Sequence, residues 1–113
     1  EGGIQASFDY LGATGADTYM AQNLANVGWD ASANKLEAIM VQKATALMGI
    51  NALQSWFDYN RTGYPSDIPL SLTGNTKPNL PTRLAYPSSE VTSNGANLPN
   101  QPDVFSSKIF WAN

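Results

Sequence analysis

The residues best equipped for chemistry lie in one run, Trp56-Phe57-Asp58-Tyr59-Asn60-Arg61-Thr62-Gly63-Tyr64-Pro65. Aromatic rings beside an aspartate, an asparagine and an arginine form the inventory of a sugar site. Flat rings stack on pyranose faces, and planar polar groups take the hydroxyls. The same run also reads as packing: Trp56 and Phe57 as core, with Asp58 and Arg61 a polar pair at helical spacing. Arg61 has two roles open to it, because its rigid fork of donors holds either backbone carbonyls of the proline-rich segment or a ligand carboxylate.

Other candidate groups are more scattered. Glu90 lies beyond Arg83 and Tyr86-Pro87-Ser88-Ser89. Acid/base cleavage of a glycoside needs a second carboxylate about 5–9 Å away, and only a fold could bring Asp58 or Asp67 there. Asn60-Arg61-Thr62 fits the short N-glycosylation pattern, which carries no weight without its structural context. Gly12-Ala13-Thr14-Gly15 lacks the lysine and spacing of a phosphate loop. Asp103 near Asn100 and Gln101 has no alternating acids around it to build a calcium loop. Neither a metal nor a cofactor is expected.

Composition narrows the field further. The 113 residues include no histidine and no cysteine, which removes triad catalysis, histidine-ligated haem, structural zinc and disulfides. Charged residues are only 13% of the chain and the net charge is −3. Such a chain lacks the cationic stripe that a phosphate backbone requires, so nucleic-acid binding is not expected. No apolar run reaches the roughly 18 residues of a membrane span. Glu1-Gly2-Gly3-Ile4 has neither a starting methionine nor a basic, then apolar, leader. It reads as a mature chain or a piece of a longer one.

The elements that must position these groups divide at Gly63. All seven prolines fall after it, and proline removes an amide donor and fixes φ, so helix belongs mainly to the first half. Ser32 or Asn34 suits an N-cap, with Glu37 in capping-box position after Asn34. Leu36, Ile39, Met40, Leu47 and Met48 form one apolar stripe, and Ile50, Leu53, Trp56 and Phe57 a second. Two helices follow, about 34–48 and 50–61, bent near Gly49 and stopped by Gly63-Tyr64-Pro65; one kinked helix is the alternative. Gly15 to Ala25 predicts a shorter helix, and residues 4–11 a short strand or an approach loop. From Pro65 onward no periodicity is evident, and Asn75, Pro78-Asn79, Asn94-Gly95 and Pro99-Asn100 signal turns. A tail of that length is unusual in an autonomous domain. It predicts a segment that wraps a larger body, its core completed by other residues of the same protein.

The ordered motifs resemble the C-terminal part of SusD/RagB-type lipoproteins. The likeness rests on Ile39-Met40-Val41-Gln42-Lys43, Leu47, Asn51 to Tyr59 and Arg61 to Pro65. It continues through Pro81-Thr82-Arg83-Leu84-Ala85-Tyr86-Pro87-Ser88-Ser89-Glu90, Asn94, Asn97, Asp103, Lys108 and Phe110-Trp111. It spans about Leu36 to Asn113, with weaker agreement from Asp17. Departures are Ala44 where the family usually has an aromatic, Asn60-Arg61 where it often has two arginines, and Phe110-Trp111 where two tryptophans are common.

The resemblance implies a mainly α fold built on tetratricopeptide-like helix pairs. Residues 1–113 would be the C-terminal fragment of one such domain, helical over about 15–62 and irregular over about 63–113. It also implies a non-catalytic, surface-exposed outer-membrane lipoprotein of polysaccharide utilisation. That protein would capture an oligosaccharide or other nutrient for a SusC-like TonB-dependent transporter. Contact with the membrane would come only through an N-terminal lipid anchor outside this sequence. In that family most ligand contacts lie outside the matching stretch. Gln42, Lys43, Trp56, Asp58, Arg61, Thr62, Gly63, Pro65, Arg83 and Glu90 are therefore expected to be architectural. Trp29, Tyr64 and Tyr86, which fall in turns rather than on helical stripes, are the expected ligand contacts. Two rival readings are a piece of a glycan-degrading enzyme using Glu90 with an aspartate, and a purely structural segment.

Overall fold

Helix formation follows the distribution of proline. The computed structural model describes residues 1–70 and 79–112. Its helices are α1 (Gly2–Tyr10), α2 (Ala16–Met20), α3 (Lys35–Leu47), α4 (Ala52–Thr62) and α5 (Ser88–Ser93), with a 3₁₀ turn at Gly95–Asn97 and no strand among the described residues. The mainly α class is as expected. The chain forms two compact units, Glu1–Ile68 and Pro69–Asn113. The turn signals at Asn75 and Pro78, like Asn113, lie outside the described residues.

Within the first unit, α3 and α4 are two separate helices rather than one kinked rod. Asn34 is the N-cap of α3, its side-chain oxygen accepting the Glu37 amide at 3.2 Å. The Glu37 carboxylate does not close a capping box but accepts the Ser66 hydroxyl at 2.5 Å. Gly49, at φ +77°, provides the turn between α3 and α4. Gly63, at φ +78°, ends α4 with its amide on the Tyr59 carbonyl at 2.7 Å. The Tyr64–Pro65 peptide that follows is cis.

Two expectations are corrected. Residues 4–11 are neither strand nor loop but most of α1. Ile4 and Phe8, four residues apart, satisfy a period of 2 and one of 3.6 equally. Contact decides between them: α1 packs on α2 and α3, with the Phe8 and Tyr19 ring centres 5.7 Å apart. The helix expected to run to Ala25 stops at Met20, because Ala21 to Asn34 are used as a loop.

In the second unit, α5 and the 3₁₀ turn interrupt a segment expected to be irregular throughout. Pro87 precedes α5 at φ −58°, a backbone angle preset for helix entry. Thr82 ties the unit together. Its amide and hydroxyl both donate to the Val104 carbonyl, at 2.8 and 3.1 Å, and the hydroxyl also lies 3.2 Å from the Ser107 carbonyl.

Candidate functional site

The first unit has a half-open cavity of about 650 Å³ lined by α1, α2, the 21–34 loop and α3. Its wall is largely apolar, with Ile4, Phe8, Val27, Trp29, Ile39 and Leu47 among the lining residues. The volume falls in the range of small-molecule pockets. Glu1, Ser7, Lys43 and Thr45 also line it, and two further polar members, Tyr19 and Gln42, are committed to each other. The Tyr19 hydroxyl and the Gln42 side chain exchange hydrogen bonds at 2.9–3.2 Å, and Gln42 Nε2 also donates to the Asn26 carbonyl at 2.7 Å.

The loop on the cavity rim is held at many points. Asn26 sits at φ +63° with its carbonyl on Gln42. Ser32, only 2% exposed, donates to the Gly28 carbonyl at 2.7 Å and accepts the Asn26 amide at 2.9 Å. A Cβ on Gly28 would lie 2.1 Å from the Gln22 carbonyl oxygen, so glycine alone fits. Out of this frame projects Trp29, 51% exposed. The Lys35 ammonium donates to the Trp29 carbonyl and stands 5.0 Å from the centre of its ring.

A second cluster joins α3 to α4. Asp58 is 4% exposed. Lys43 Nζ lies 2.6 Å from its Oδ2, off the direction of a hydrogen bond, and Arg61 donates to Oδ1 at 3.0 Å. Burial pushes the Asp58 carboxyl up. The Lys43 and Arg61 cations, with Gln54, outweigh burial and hold it below the ordinary carboxylate value. A carboxylate so stabilised is the reverse of a general acid. Asp58 and Arg61 pair along one helix, whereas Trp56 and Phe57, expected as core in the packing reading, are half-buried, with their ring centres 5.2 Å apart and tilted by 52°. Asn60 is buried in α4 and donates to the Trp56 carbonyl at 3.0 Å, so it cannot accept a glycan in this fold. The Thr62 hydroxyl donates to the Asp58 carbonyl at 2.7 Å and accepts the Tyr64 amide at 3.2 Å.

Of the three expected ligand contacts, Trp29 alone borders the cavity. Tyr64 follows the end of α4, half-buried, and Pro65 beside it is half-buried too. Tyr86 belongs to the second unit, where its amide donates to Gln101 Oε1 at 3.3 Å and the Arg83 guanidinium lies 5.6 Å from its ring centre. The Glu90 carboxylate accepts the Asn94 side-chain Nδ2–H at 2.5 Å. The other described carboxylate of that unit, Asp103, accepts the Ser106 hydroxyl and the Phe105 amide at 2.9 and 3.0 Å. Ser32, Gln42 and Lys35 as braces of the Trp29 loop escaped sequence reasoning; the signal was a tryptophan between Gly28 and Asp30 in a turn.

Among the described residues no group of three or more acids is placed to hold a metal ion. No helix there is long and apolar enough to cross a membrane.

Residues 1–87 match the model of a SusD-like family described as starch-binding and associating with the outer membrane. No curated protein and no solved structure matches the chain. The matched stretch includes α1 and the Trp29 loop, which lie before the motifs that carried the resemblance, and it stops short of Glu90 and the closing aromatics. With well over half of its residues inside that match, the chain belongs to the SusD-like family.

Proposed function

We propose that this chain is part of a surface-exposed outer-membrane lipoprotein that captures oligosaccharide without cleaving it and passes it to a SusC-like TonB-dependent transporter. The family match over residues 1–87 carries the reading. The structure supports it with an exposed indole on the rim of a cavity. Among the described residues only Ala16, Ala38 and Met40 are buried apolar side chains, while Leu36, Ile39, Met48, Ile50 and Leu53 stay exposed. Helices with so much apolar surface uncovered suit a body completed by further residues of the same protein.

Affinity electrophoresis of the intact protein, purified from its native membrane, through gels with and without soluble starch tests the proposal. Retardation by starch, with no release of reducing sugar, is the expected result. Co-purification of a large β-barrel transporter with the protein would support delivery. Sugar release that disappears in Glu90→Gln would instead establish the enzyme reading. Unchanged mobility in starch would remove the binding proposal.

A further inference from the structure

We infer that Lys35 is a positioning residue for Trp29, fixing the indole so that one of its faces is offered to a single pyranose ring. The inference rests on the glycan-binding reading and specifies how that site is built. A loop that served only to connect α2 to α3 would need no such bracing. Here the Asn26 carbonyl, the Gly28 carbonyl and the Asn26 amide are each fixed by a side chain, Gln42 or the buried Ser32. Backbone at Gly28 leaves no room for a Cβ. The side chain carried by this rigid frame is nonetheless half exposed. Local order built around an exposed aromatic is the arrangement of a preorganised contact, since the loop entropy is lost on folding rather than on binding.

Lys35 completes it. One ammonium holds both the Trp29 backbone, through the carbonyl, and the ring, through its face. With a cation over one face, stacking by a sugar is left to the other. The cavity behind is walled largely by apolar side chains, and its Tyr19 and Gln42 already bond each other and the Asn26 carbonyl, so it suits a hydroxyl-rich ligand less than the exposed indole does.

The test uses the intact protein labelled with fluorotryptophan. Fluorine NMR follows maltohexaose binding, and the signal lost in Trp29→Phe assigns the Trp29 resonance. Maltohexaose is expected to shift the Trp29 signal. Trp29→Ala should weaken binding about tenfold or more, and Lys35→Met about threefold to fivefold, with Lys35→Arg close to wild type. Melting temperatures of the two Lys35 variants should match wild type, which separates positioning from stability. Binding that leaves the Trp29 signal unmoved, or that survives Trp29→Ala or Lys35→Met unchanged, overturns the inference while the capture reading stands. A wild-type protein that binds no maltohexaose removes both.

Discussion

Replacing Lys43 by methionine should destabilise the protein more than replacing Asp58 by asparagine, although both break the same ion pair. Each cation–carboxylate contact, at 2.6 and 3.0 Å, has a gross attraction of roughly 5.5–6.5 kcal/mol at an effective dielectric of 20. Most of it offsets the several kcal/mol needed to take the Asp58 carboxylate from water. Lys43→Met keeps the aliphatic stem and removes the ammonium, leaving a carboxylate that is 4% exposed with fewer counter-charges. Stranding a buried charge costs about 3–5 kcal/mol. Arg61 still compensates in part, so about 2 kcal/mol is expected. Asp58→Asn strands nothing of the kind. The Lys43 and Arg61 side chains are 41% and 60% exposed and return to water, so about 1 kcal/mol is expected.

The pH dependence supplies a second check. The folded pKa of Asp58 lies below its unfolded value, so its stabilisation is complete above about pH 3.9. It is lost as pH falls through the lowered folded value. The Lys43→Met deficit should therefore shrink on acidification, because protonation of Asp58 ends the stranding. Urea denaturation of the intact protein and both variants, at neutral pH and near pH 3, reads both effects. Equal stability of Lys43→Met and wild type at neutral pH, or a deficit unchanged on acidification, would refute the reasoning.

Gly28→Ala should cost about 1–3 kcal/mol by urea denaturation, because its Cβ would meet backbone that cannot give way, and fluorine NMR should show the Trp29 signal displaced or broadened. Thr82→Val removes the hydroxyl bonds to the Val104 and Ser107 carbonyls and should lower stability by about 1 kcal/mol. Hydrogen exchange should then report faster opening of the second unit, with protection of the α3 amides unchanged.

Sequence reading located α3, α4 and the break between them because the signals there are local. Apolar side chains recur within three or four positions, Asn34 caps an amide three residues on, and Gly63 adopts a left-handed φ that it tolerates at little cost. The spacing of Asp58 and Arg61 was equally legible, since both lie on one helix face. That these 113 residues supply no histidine or thiol chemistry needed the composition alone.

Tertiary contact decided the remainder. Residues 2–10 fit two periodicities, and packing against α2 and α3 selects the helix. Lys43 meets Asp58 only because α3 and α4 lie together, and no spacing along the chain announces a pair between two helices. The same is true of Gln42, which reaches back to Tyr19 and Asn26. Trp29, Tyr64 and Tyr86 looked equivalent as aromatics in turns. Their environments separate them: Trp29 alone stands on a cavity rim, in a loop fixed from behind by side chains distant in sequence. Helix caps and stripes are set by neighbours a turn away, whereas a site is set by which faces are buried together, and burial is a property of the folded chain.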